Sequence, residues 1–183
     1  MPFHTDHSIK ANGLDIKPIA NVVLIAPEIP QNTGNLIRLC ANVGARLHLV
    51  EPLGFQLDNP RLRRASLDYS DLTNIIVHKT IDEFLKDVPI GRVYGATIPG
   101  TVTYTTPRYQ LGDTIVFGSE SVGLPRNVIN KLNHNNQINV PMMPANRSLN
   151  ISNAAAIIVY EVWRQVGFLG ASPLPHKNQS YFS

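Results

Sequence analysis

The chain has 183 residues, enough for one substantial hydrophobic core and too few for two ordinary domains joined by a linker. A content of 43% hydrophobic and 16% charged residues excludes a disordered or fibrous chain, and no run approaches the roughly 20 apolar residues of a membrane span. A net charge of +3 suits a polyanionic partner without requiring one, and the single cysteine, Cys40, excludes an intramolecular disulfide and a Cys/His zinc framework.

Residues 1–19 are polar, contain Gly13 and Pro18, and show no hydrophobic targeting run. They read as an amino-terminal extension laid on the surface or left mobile, and the setting expected is reducing and cytoplasmic. The patterned domain is expected over 20–170. It begins with the β-branched run Asn21-Val-Val-Leu-Ile-Ala26, a buried strand closed by Pro27 and Pro30. A helix is predicted from about Thr33 to Val43, with Leu36, Leu39, Cys40 and Val43 on one face and Asn35, Arg38 and Asn42 on the other. Asn32 is placed to cap it and Gly44 to stop it.

Arg46-Leu-His-Leu-Val50 reads as the next strand, which completes a strand–helix–strand unit of the parallel-sheet type. Further strands are expected at 74–77, 92–96, 114–117 and 137–140, with a short helix over 81–86 and another entered at Pro125 and running towards Leu132. The longest predicted helix covers 151–166, where Ile151, Ala154, Ala155, Ile158, Val162 and Val166 recur at helical spacing. The segment 171–183, with Pro173 and Pro175, reads as a tail.

Three loop-like clusters stand directly after predicted strands: Pro27 to Gly34, Gly118 to Pro125, and Pro141 to Ser152. In parallel sheets ligands bind beyond the carboxyl ends of the strands, so these clusters are expected to share one site. In the first, Arg38 lies one turn beyond the loop on the helix face away from the core, where a guanidinium can meet a phosphate, a carboxylate or a hydroxyl; helix capping and ordinary surface charge explain the same residues locally. The second has two glycines around Ser119, Glu120 and Ser121, and it matches neither the dinucleotide fingerprint nor the phosphate loop. The third is dense in amides and hydroxyls, and Ser148, Asn150 or Ser152 can cap the long helix while Met142 and Met143 fill space.

Taken in order, Asn32-x-Gly34-Asn35-x-x-Arg38, Phe117-Gly118-x-Glu120-x-x-Gly123-Leu124, and Ile138-x-Val140-Pro141-Met142 with Ser148-Leu149-Asn150-x-Ser152-x-Ala154 resemble the SpoU branch of the SPOUT methyltransferases. The likeness runs from Asn21 to Gly170. A narrower resemblance, to small bacterial enzymes that methylate the wobble-nucleotide ribose of leucine transfer RNAs, rests on four stretches. They are Glu28-Ile-Pro-Gln-Asn-Thr-Gly-Asn35, Arg38-Leu-Cys-Ala-Asn42, Leu62-Arg-Arg-Ala-x-Leu-Asp-Tyr69 and Val159-Tyr-Glu-x-Trp-Arg-Gln165.

The resemblance implies an α/β domain with a mostly parallel sheet and a deep carboxyl-terminal trefoil knot, which ordinary topology rules would reject. It implies S-adenosylmethionine as cofactor, with Ala96, Gly118, Val140, Ser148 and Leu149 around it, and no metal. It implies a catalytic group centred on Arg38 and organised by Asn32, Glu120, Ser148 and Asn150. It also implies a homodimer formed through the last helix with Tyr160 and Trp163, although a core position for Trp163 is equally physical. The basic cluster Arg61, Arg63 and Arg64 is the candidate contact to transfer RNA; a solvated basic loop beside Asp58 and Asp68 is the competing reading. Other readings of the whole chain are a methyltransferase for another transfer RNA or ribosomal RNA nucleotide, an RNA-binding module without catalysis, and a nucleotide-dependent transferase.

Overall fold

The computed structural model describes residues 9–11, 14–57, 75–86 and 92–172. In chain order the elements are β1 (Ile9–Ala11), β2 (Leu14–Ile16), β3 (Ala20–Ile25), α1 (Pro30–Val43), β4 (Arg46–Val50), β5 (Ile75–His78) and α2 (Ile81–Leu85). Then follow β6 (Val93–Ala96), β7 (Val102–Thr103), β8 (Asp113–Phe117), α3 (Arg126–Ile129), a short 3-10 turn at His134–Asn136, β9 (Gln137–Asn139) and α4 (Ile151–Gln165).

Seven strands form one sheet in the order β5-β4-β3-β8-β6-β9-β7, and every pairing in it is parallel. β3, β4 and β8 are buried at every residue. Burial on both faces is why Val22 to Ile25 and Ile115 to Phe117 are continuous apolar runs, while β4 buries Arg46 and His48 beside Leu47, Leu49 and Val50. The two-residue period nevertheless sorts them: Val22, Leu24, Leu47, Leu49, Ile115 and Phe117 join the core beneath α1 and α4, while Val23, Ile25, Val50 and Val116 join Phe84, Leu124, Val128 and Leu132 on the opposite face.

β9 lies between β6 and β7, pairing Ala96 with Ile138 on one side and Val102 with Ile138 on the other. A late segment therefore occupies a slot between two earlier, consecutive strands. That order is consistent with the threading implied by the resemblance.

Differences from the expected elements have local causes. α1 starts at Pro30 rather than Thr33: Ile29 is extended and Pro30, with its fixed φ and missing N–H, takes the first turn. Asn32 is accordingly inside the helix and buried, and it caps nothing. α1 ends as expected at Gly44, whose φ of 71° suits glycine and whose N–H reaches the Cys40 carbonyl. α3 stops at Ile129 because the chain tightens, with Lys131 N–H donating to the Val128 carbonyl and Leu132 N–H to that of Ile129.

The segment expected to be irregular holds the antiparallel pair β1 and β2, with Ile9 opposite Ile16. The Asn12-Gly13 dipeptide between them is a strong hairpin signal that the polar composition obscured. β7, two residues long, is too short to show any period.

Candidate active site at the carboxyl edge of the sheet

β3, β8, β6 and β9 are consecutive neighbours in the sheet, and each releases its chain at the same edge. The loops that follow them carry all three sequence clusters. At the end of β3 the chain turns sharply at Ala26, whose φ of 50° is rare for a residue with a Cβ, and the Ala26 N–H is held by the Val50 carbonyl at 2.9 Å. At the end of β8, a Cβ on Gly118 would lie 1.9 Å from the Gly123 main chain, so only glycine lets the 119–123 turn fold back across the strand. That turn is closed by the Gly123 N–H donating to the Ser119 carbonyl at 2.9 Å.

The three clusters are joined side chain to side chain. Glu120 accepts the main-chain N–H of Glu28 at 2.8 Å through Oε2, and through Oε1 it accepts the Ile29 N–H at 3.2 Å and the Asn32 amide at 2.9 Å. A carboxylate from β8's loop thus holds the main chain just ahead of Pro30, while the N–H groups of Asn32 and Thr33 turn to the Ile29 carbonyl and no side chain caps α1. Asn32 makes a second bond: its Oδ1 accepts Nδ2 of Asn150 at 3.0 Å. Asn150 in turn caps α4, its Oδ1 accepting the Ser152 N–H at 2.9 Å. Residues 88 to 118 positions apart in the chain are in this way brought into one polar cluster.

Arg38 is exposed on α1, two turns into the helix that the cluster anchors. Ser148 and Leu149 are exposed on the segment leading into α4, and Leu149 keeps 40% of its surface open although it is apolar. Ala96, Gly118 and Val140 stand at or just beyond the carboxyl ends of the adjacent strands β6, β8 and β9, in one row along the edge. Beyond Asn139 the chain runs to Asn150 without helix or strand, so its main-chain donors and acceptors are not committed to a regular ladder. Main-chain groups outside any ladder therefore lie along the same edge as half-buried Ala96 and Val140 and open Leu149, which offers a ligand both polar and apolar surface.

Several sequence-predicted residues fall elsewhere. Arg61, Arg63 and Arg64 lie outside the described residues. Tyr160 is 46% exposed on α4, whereas Trp163 is half-buried against the core and donates its indole N–H to the Leu169 carbonyl at 3.0 Å. The two rings meet edge to face, and Trp163 meets Phe168 in the same way, with centroids 5.6 Å and 5.4 Å apart. Trp163 therefore backs an exposed apolar strip made by Ile157, Tyr160, Phe168 and Leu169.

Sequence reasoning missed Glu28 and Ser121, whose carboxylate and hydroxyl are hydrogen-bonded across the first two loops, and it gave Asn35 and Ser152 no part in the site. Their presence inside the motifs was the available signal, but the pairing of distant side chains was not.

A wholly parallel sheet with buried central strands, an edge where four adjacent strands deliver loops, and three loops tied by amides and one carboxylate define an α/β domain of the class whose ligand sites lie beyond the carboxyl ends of the strands. Residues 20–160 match the SpoU rRNA Methylase family. The tRNA (cytidine(34)-2'-O)-methyltransferase of Saccharophagus degradans is 48% identical over 151 residues, covering 82% of this chain and 98% of that protein. The protein of the same name from Escherichia coli K12 is also 48% identical over 151 residues, covering 82% and 96%. A solved structure described as "Structural insights into the 2-OH methylation of C/U34 on tRNA" aligns with a TM-score of 0.76 at 39% identity, over 81% of this chain and 96% of its own. The SpoU methyltransferase AviRb from Streptomyces viridochromogenes, solved with AdoMet, shares the fold with a TM-score of 0.75 at 22% identity, over 91% of this chain and 63% of its own. The chain belongs to the SpoU methylase family.

Proposed function

We propose that this protein transfers a methyl group from S-adenosylmethionine to the ribose 2'-hydroxyl of nucleotide 34 in transfer RNA, with leucine isoacceptors as substrates and a homodimer as the working form. The observation that supports the reading is the bond chain Glu120–Asn32–Asn150, which ties the three family motifs together at the start of the helix that carries Arg38. Relatives named for the same reaction, similar over nearly their whole length, support it.

When bound, S-adenosylmethionine supplies an electrophilic methyl carbon on its sulfonium, so the protein needs no metal to create a leaving group. Ala96, Gly118, Val140, Ser148 and Leu149 are the residues that hold it, through main-chain groups and apolar contact along the edge. Arg38 orients the ribose and its phosphate and favours the negative charge that develops on the attacking oxygen. Its proposed role is electrostatic and positional, and the proton of the ribose hydroxyl passes to solvent. Asn32, Glu120 and Asn150 fix the start of α1 and with it the direction of Arg38; Ser148 lies where cofactor and ribose meet.

Arg61, Arg63 and Arg64 supply phosphate contacts, and the strip around Tyr160 supplies the dimer contact. Residues 20–170 form the methyltransferase domain, with 1–19 and 171–183 as appendages. The test is nucleotide-resolved 2'-O-methylation of total RNA by the purified protein with isotopically labelled S-adenosylmethionine. Label confined to nucleotide 34 of leucine transfer RNAs is expected; label at another transfer RNA or ribosomal RNA site replaces the substrate, and a folded, cofactor-binding protein that labels no RNA overturns the reading.

A further inference from the structure

The polar cluster does not end at Asn150. Ser152 is buried to 8% exposure in the first turn of α4, and its hydroxyl donates to Asn150 Oδ1 at 2.6 Å. The same hydroxyl oxygen accepts Nδ2 of Asn35 at 3.4 Å, across a separation of 117 residues. Donor and acceptor roles are then determined at every link. An Asn35 amide N–H points to Ser152, the Ser152 O–H to Asn150, an Asn150 amide N–H to Asn32, and an Asn32 amide N–H to the Glu120 carboxylate. Each amide orientation is set by its neighbour, and the series runs in one direction to the only group in it that is solely an acceptor.

This series grips α1 at two places on neighbouring turns, Asn32 and Asn35, and grips α4 at its cap and first turn. Arg38 is three residues beyond Asn35, on the adjoining turn of the same helix. The loop that carries Ser148 and Leu149 ends at Asn150. Ser152 thus links the end of that loop to the helix turn preceding Arg38. We infer that Ser152 and Asn35 are positioning residues for methyl transfer: their hydrogen bond holds α1 in register with the cofactor loop, so that Arg38 and the methyl donor face each other at the reacting oxygen.

The inference rests on the proposed reaction, and the experiment separates the two. Single-turnover methylation is measured at saturating S-adenosylmethionine and saturating substrate RNA for the wild type, Asn35→Ala, Ser152→Ala and the double variant, together with cofactor affinity and thermal stability of each. Asn35 is exposed, so Asn35→Ala keeps the test decisive even if Ser152→Ala folds poorly.

The expected result is that Asn35→Ala lowers the transfer rate by about tenfold while cofactor affinity changes by less than about threefold, because misalignment acts on the reacting geometry rather than on ground-state binding. The double variant is expected to be no slower than the worse single variant, the non-additivity of two residues that act through one bond. An unchanged transfer rate in Asn35→Ala, or additive losses in the double variant, overturns the inference while leaving the reaction intact. Failure of the wild type to methylate any RNA removes the reaction itself.

Discussion

At the amino-terminal end of the sheet Asp113 is buried at the start of β8, and its carboxylate is gripped by the Arg92 guanidinium and by the Gln110 N–H at 2.8 Å. Nearby Asn21 donates to the Gly112 carbonyl at 2.9 Å. At the carboxyl-terminal end the carboxylate of Glu120 is instead shared among donors from the segment that enters α1, while Arg38 on that helix and Ser148 and Leu149 before α4 are exposed. The first arrangement closes a buried carboxylate on partners within a few residues of the strand ends. The second spends its bonds on holding loops in place and leaves their outer surfaces open. Both ends use amides and a carboxylate; what differs is whether the remaining groups are covered, and that separates a lock from a site.

The comparison can be broken most directly at Arg38. Arg38→Ala is expected to reduce single-turnover transfer by about a hundredfold or more, the size of loss seen when one electrostatic stabiliser is removed from a reaction centre. Cofactor affinity measured by calorimetry is expected to hold. Unchanged chemistry with weaker RNA binding would make Arg38 a docking residue.

Gly118→Ala tests the same end sterically. Its new Cβ at 1.9 Å from the Gly123 main chain forces the turn away from β8, and a stability loss of roughly 3 kcal/mol with loss of cofactor binding is expected. Denaturant melts and cofactor titration check both parts.

At the opposite end, Arg92→Ala is expected to cost about 2 kcal/mol at neutral pH, less than a fully buried pair because Arg92 is partly open to water, and to leave the transfer rate untouched. Burial raises the Asp113 pKa above the ordinary carboxylate value, against the lowering by Arg92. A folded pKa above the unfolded one means stability is lost as pH rises through it. Removing Arg92 pushes that pKa higher still, so the deficit should shrink in acid as Asp113 takes up a proton. A deficit that is flat with pH would show that Arg92 acts by packing alone.

The smallest effect is expected at Glu161, where the Arg164 hydrogen bonds hold the carboxyl below the usual glutamate range. Its contribution to stability is complete above the ordinary value and disappears as pH falls through the lowered one. Glu161→Gln should remove that acid-side slope, seen in melting temperature against pH.

Much of this was legible in one dimension. Apolar, β-branched runs and helical spacing located β3, α1, β4, β8 and α4 to within a few residues, because the strands are buried on both faces and each helix buries one. Turn and cap residues marked the ends of the elements: Gly44 stops α1 and Asn150 starts α4. The clusters that follow β3, β8 and β9 pointed to one edge because parallel strands all end on the same side.

Only the tertiary structure decided how those clusters meet. Asn32, expected to cap the helix, instead lies inside it and is bound by Glu120 from 88 residues away, whose carboxylate also accepts the two main-chain N–H groups ahead of Pro30. Strand order was equally hidden: β9 inserts between β6 and β7 through hydrogen bonds between main chains, which carry no side-chain pattern. Local sequence determines which segment folds into which element, because propensity and burial act along a few neighbouring residues. Which donor finds which acceptor across 90 or more residues is set by packing, and so the site itself existed only once the sheet had brought its loops together.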